Sequence, residues 1–106
     1  MKTLTIDQVR ARIGNATLLE ALPEMYFRKG HLPGAIHFPH DQVDALEPVV
    51  LGDKDAEILV YCANAACKSS GIAAERLTAL GYRNVSVFVG GKKEWEEAGL
   101  SLERSR

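Results

Sequence analysis

Apolar and polar positions follow two rhythms along these 106 residues, and each change of rhythm marks a new element. Thr5-Ile6-Asp7-Gln8 has the form of a capping box, with Ile6, Val9 and Ile13 on one helical stripe that Gly14-Asn15 should end. Thr17 to Ala21 reads as a strand, and Pro23 suits the first turn of a short helix through Lys29, closed by Gly30. His31-Leu32-Pro33-Gly34 is turn chemistry ahead of a short strand at Ala35 to Phe38. Asp41 is placed to cap a helix running to about Leu46.

The central signal is Ile58 to Tyr61, apolar without alternation, as expected of a strand covered on both faces. A helix from about Ser69 to Leu80 should bury Ala73, Leu77 and Leu80, with Gly81 as its cap. Val85 to Val89 reads as the next strand, and Gly90-Gly91 opens a last helix carrying Trp95 and Ala98. This alternation predicts a single α/β domain over residues 1–106 with a mainly parallel sheet.

Composition narrows the function. Hydrophobic content of 46%, charged content of 25% and a formal net charge of -1 are those of an ordinary globular chain. No basic stripe with interleaved aromatics supports nucleic-acid binding, and no apolar run reaches membrane-spanning length. The polar start MKTLTIDQVRARIG lacks the apolar core of a signal peptide, so a cytoplasmic location is expected. There Cys62 and Cys67 should act as thiols rather than as a disulfide framework.

Candidate chemistry gathers at Ile58–Gly71, ILVYCANAACKSSG. Cys62 ends the apolar strand, a loop of small residues follows, and a helix opens near Lys68-Ser69-Ser70. Ligands of parallel α/β sheets bind at such carboxyl ends. A helix start, backbone N–H groups and Lys68, with no acidic residue between Cys62 and Gly71, should stabilise a thiolate and lower its pKa. Nothing in the pattern calls for a cofactor, and His31, His37 and His40 show no paired metal-ligand spacing with the cysteines.

Three ordered motifs then resemble the single-domain rhodanese family. They are Gly30-His31-Leu32-Pro33-Gly34-Ala35, then Val60-Tyr61-Cys62 with Ala73-Ala74-Glu75-Arg76-Leu77, and finally Gly90-Gly91 with Trp95 and Ala98-Gly99-Leu100. The resemblance implies a rhodanese-like three-layer fold, in which helices flank a mainly parallel five-stranded sheet. It also implies sulfur transfer through a persulfide on Cys62. Two departures stand out. Leu22 occupies the place of the family's usual Arg, and the loop after Cys62 is longer than usual, with Cys67 in the added part.

On this reading Cys62 takes sulfur from thiosulfate or a persulfide and passes it to a thiol or protein acceptor. Ala63, Asn64, Ala65, Ala66, Cys67, Lys68 and Ser69 would bind the substrate, their N–H groups cradling the anionic sulfur. Asn64 should turn the loop, Ser69 or Ser70 should cap the helix, and His31 and Trp95 should be structural. Cys67 is expected on the loop's rim with its side chain outward, bonding Cys62 only under oxidation. The alternative is a thiol-redox or sulfur-sensing protein using Cys62 and Cys67. A phosphatase with Cys-x5-Arg is disfavoured because Lys68 stands at the Arg position and cannot grip an oxyanion bidentately.

Overall fold

The computed structural model describes residues 2–104. Within them run β1 (Lys2–Thr3), α1 (Ile6–Arg12), β2 (Thr17–Glu20), α2 (Glu24–Lys29) and β3 (Ile36–His37). Then follow α3 (Val43–Val50), β4 (Ile58–Tyr61), α4 (Ser69–Ala79), β5 (Val85–Phe88) and α5 (Gly91–Glu97). The sheet order is β1-β5-β4-β2-β3, and every neighbouring pair is parallel.

Strand pleating sends alternate side chains to opposite faces, and each face has its own core. Leu19, Ile58, Val60, Val85 and Val87 pack with Val43 of α3 and with Ala73, Ala74 and Leu77 of α4. Leu18, Leu59, Tyr61 and Phe88 pack instead with Val9 of α1 and Trp95 of α5. β4 is buried along its whole length because it has strands on both sides and helices on both faces. After β2 the chain moves outward to β3, and after β4 it moves the other way to β5. The carboxyl ends of β2 and β4 therefore flank the switch point.

Local readings hold where a specific chemical signal exists. Thr5 and Gln8 form the reciprocal capping box of α1. Gly81, at φ +100°, closes α4, with Tyr82 N–H returning to the Leu77 carbonyl at 3.1 Å. Other expectations need correction. Asp41 does not cap α3, whose N-cap is Gln42 without a side-chain bond, and the helix runs on through Pro48 to Val50. Val43, Leu46 and Val50 against the core hold this helix in place of a cap. Leu80 is partly buried at the edge of the core rather than inside it. β1 has no forecast among the strands, because its two exposed residues carry no apolar signal and it forms by pairing with β5.

Candidate active site at the carboxyl end of β4

Cys62 is the first residue beyond β4 and is buried, with 1% of its surface exposed. Its Sγ donates to the Cys67 carbonyl at 3.4 Å and lies 3.3 Å from the Ser70 hydroxyl. Ser70, buried in the first turn of α4, thus serves the thiol and not the helix end. The N-cap of α4 is Lys68, which makes no side-chain cap bond, so neither serine caps.

Asn64 turns the loop as expected. Its side-chain oxygen accepts the N–H groups of Ala66 (3.0 Å) and Cys67 (3.1 Å), with no left-handed residue needed. Those two amides are consequently unavailable to a sulfur anion. The Ala63 and Ser69 amides and the Ser69 hydroxyl face the Cys67 thiol, while the Ser70 amide faces Cys62. The loop's donors are divided between two sulfurs.

The Cys67 carbonyl against Cys62 Sγ brings the two thiols near one another, which corrects the expectation that Cys67 points outward. The expected acidic Cys62 is likewise corrected. Burial, followed by the hydrogen bond to Cys67, pushes the Cys62 thiol above its ordinary range, and Ser70 offsets this only in part. At Cys67 partial burial acts upward, but the hydrogen bonds from Cys62, Ala63 and Ser69 outweigh it and the thiol lies below its ordinary range. Both cysteines are free. Cys67 lines a groove of about 330 Å³ with exposed Lys68 and with Ile72 and Val89, whereas the exposed Ala65 and Ala66 line a separate depression with Lys93 and Glu94.

Behind Cys62 lies a charged arrangement that the sequence reading did not identify. Glu20 ends β2 in register with Tyr61 and is fully buried. Its Oε1 accepts from the Tyr61 hydroxyl at 2.8 Å and from Lys92 Nζ at 2.9 Å. Lys92 Nζ also donates to the Tyr26 carbonyl at 2.8 Å, and Leu32 N–H donates to the Tyr61 hydroxyl at 3.0 Å. Leu22 is buried and carries no charge, so the cation facing Glu20 comes from α5. A lone carboxylate inside the apolar run Thr17–Ala21 was the available signal, since a buried charge requires a partner.

The same turn of α5 fixes the backbone of the site. Lys92 N–H donates to the Cys62 carbonyl at 3.1 Å and Lys93 N–H to the Ala63 carbonyl at 2.9 Å. Gly91, at φ +59°, permits this approach; a Cβ there would overlap the Cys62 carbonyl oxygen and lie 3.0 Å from the Ala63 carbonyl carbon. His31 stacks on Phe27 at 3.9 Å and its Nδ1 contacts the Phe27 carbonyl at 2.9 Å, while Trp95 donates to the Ser101 carbonyl at 2.9 Å.

Comparison with known proteins agrees with this architecture. The rhodanese-like domain model matches residues 5–98. An HTH-type transcriptional regulator of Mycobacterium tuberculosis is 32% identical over 94 residues, which cover 89% of this chain and 40% of the relative. An adenylyltransferase and sulfurtransferase of Candida albicans is 35% identical over 86 residues, covering 76% of this chain and 19% of the relative. The chain therefore spans less than half the length of either relative. Among solved structures, a thiosulfate sulfurtransferase from Pseudomonas aeruginosa superposes with a TM-score of 0.87 at 27% identity, covering 99% of this chain and 20% of that one. This chain belongs to the rhodanese-like domain family, which includes sulfurtransferases.

Proposed function

We propose that this chain, as a single rhodanese-like domain, is a sulfurtransferase that carries sulfane sulfur as a persulfide on Cys62. The observation that carries the reading is the place of Cys62, at the carboxyl end of the central strand beside the switch point, with the Ser70 hydroxyl and amide against its sulfur. Burial favours the protonated form of Cys62, so its proton must leave to solvent before the sulfur attacks. The Cys62 thiolate attacks the outer sulfur of thiosulfate, the bond to the sulfite sulfur breaks, and sulfite leaves with the electron pair. A persulfide donor reacts in the same way and leaves a thiolate. An acceptor thiol then takes the terminal sulfur and Cys62 recovers its proton.

Lys68, exposed on the groove, draws anionic donors, and they bind against the loop Ala63 to Ser69, of which Cys67 and Lys68 line that groove. Two free thiols suit a reducing compartment such as the cytoplasm. Mass spectrometry after thiosulfate treatment tests the assignment. Wild type and Cys67→Ser should gain sulfur on Cys62 and retain transfer, the variant a substantial part of it, whereas Cys62→Ser should lose both. Labelling of Cys67 alone, with transfer surviving Cys62→Ser, sinks it. A thiol-redox or sulfur-sensing role is the second reading, favoured by the nearness of the two cysteines, with the Cys67 carbonyl 3.4 Å from Cys62 Sγ. It predicts a reversible Cys62–Cys67 bond without any sulfur transfer.

A further inference from the structure

We propose that Cys67 resolves the Cys62 persulfide, releasing hydrosulfide and leaving a Cys62–Cys67 disulfide, so that the chain reduces sulfane sulfur as well as transferring it. The inference rests on the persulfide reading and adds a second outcome for the same intermediate. Three geometric observations carry it. Cys67 folds back until its carbonyl lies 3.4 Å from Cys62 Sγ, which brings its thiol near the Cys62 thiol. Asn64 holds this fold by binding both the Ala66 and Cys67 amides through its side chain, so the approach belongs to the resting loop. Finally, Cys67 lines an open groove while Cys62 is buried, which leaves one sulfur of the pair accessible to an incoming reductant.

The step balances within the molecule. The Cys62 proton has gone to solvent, and after sulfite has left the site holds Cys62–S–S⁻ beside the Cys67 thiol with its own proton. That proton moves to the terminal sulfur, and the Cys67 thiolate attacks the inner sulfur. The bond between the inner and terminal sulfurs breaks, HS⁻ departs with the electron pair, and the new bond joins Cys62 to Cys67. The sulfane sulfur is reduced to sulfide and two thiols are oxidised to one disulfide. Hydrosulfide is a good leaving group for thiol exchange, which is faster when the departing thiol is more acidic. The hydrogen bonds that favour a Cys67 thiolate favour the attack as well. A dithiol reductant entering from the groove restores the pair by ordinary exchange. A competing external acceptor decides whether the sulfur leaves as a persulfide or as sulfide.

The test uses the reduced full chain, without oxygen or any other thiol, given thiosulfate. Sulfite, sulfide, free thiols and intact mass are followed together. Wild type should release sulfide in step with sulfite, lose both free thiols and finish two hydrogens lighter. Cys67→Ser and Cys67→Ala should release sulfite only and finish one sulfur heavier, without sulfide. Wild type that remains one sulfur heavier with Cys67 free overturns the inference and leaves the persulfide reading intact. A disulfide formed without sulfide also overturns it, because the oxidant is then something other than the persulfide. If no protein gains sulfur or releases sulfite, the persulfide reading fails first and the inference falls with it.

Discussion

Tyr61 and Cys62 are neighbours in the chain, yet the polar surroundings of the two side chains are opposite in kind. On one side the Tyr61 hydroxyl meets the Leu32 N–H and a buried carboxylate paired with a nearly buried ammonium, with Glu20 fully covered and the Lys92 side chain 12% exposed. On the other, Cys62 meets only a hydroxyl, a carbonyl, an amide and another thiol. Burial is answered by opposite charge in the first case, and the result is a fixed strut between β2 and α5. In the second it is answered by neutrality, which favours the protonated sulfur. One side holds the backbone still while the other keeps its chemistry in reserve.

The strut gives the largest expected effect. Lys92→Ala leaves Glu20 buried without its cation, and breaking such a pair costs about 3–5 kcal/mol. Urea unfolding should show that loss. Glu20→Leu combined with Lys92→Met should recover most of it, because an apolar replacement of both partners leaves no charge to desolvate. A single variant within about 1 kcal/mol of wild type would show that Glu20 does not depend on Lys92.

Gly91→Ala comes next and joins the two sides. The added methyl meets the Cys62 carbonyl, so either α5 or the loop must shift. Overpacking of this kind costs about 1–3 kcal/mol. Sulfur transfer should fall further than stability, because the displaced atoms belong to the reacting residue and to Ala63. Normal transfer in a folded Gly91→Ala protein would refute the view that α5 positions Cys62.

Which parts were legible in the sequence follows the same division. The strand Ile58–Tyr61, the capping box at Thr5 and the closing Gly81 each announce themselves through nearby residues, and each stands in the structure. Pairing across long separations leaves no such mark. β1 exists because β5 offers it an edge, and Lys92 is tied to Glu20 only once the sheet and α5 bring them together. The acidity of Cys62 was misread for a related reason. A small-residue loop followed by a helix indicates where donors are plentiful but not where they point, and here Asn64 takes two of them and Cys67 others.

The pH dependence of thiol alkylation sharpens the Cys62 side. Cys67 lies below its ordinary range and half-exposed, so it should react first, with a midpoint under the free-thiol value of about 8.5. Cys62 should follow with a midpoint above that value. The linked effects on stability have opposite signs. The raised Cys62 favours folding below the unfolded thiol pKa, an advantage lost as pH rises through its folded value. The lowered Cys67 favours folding above the unfolded value, an advantage lost as pH falls through its own. Peptide mapping at each pH separates the two, and Cys62 reacting first would reverse the order of the two thiols.

The smallest effect is expected at Asp44 and Arg76, a control for the Glu20–Lys92 strut. Arg76 Nε and Nη2 donate to the two Asp44 carboxylate oxygens at 2.7 and 2.8 Å, a better geometry than the strut possesses. Both side chains remain in water, at 49% and 65% exposure. The hydrogen bond from Arg76 holds Asp44 below its usual pKa, so any stabilisation is present above the ordinary aspartate range and lost as pH falls through the lowered value. Solvent and salt screen the attraction, however, and ordering two long side chains opposes it. Arg76→Ala should therefore leave the urea midpoint within measurement error of wild type at neutral pH, in low and in high salt. If its loss matched that of Lys92→Ala, bond geometry and not burial would set the worth of a charge pair in this fold, and the contrast between the two sides of β4 would need another cause.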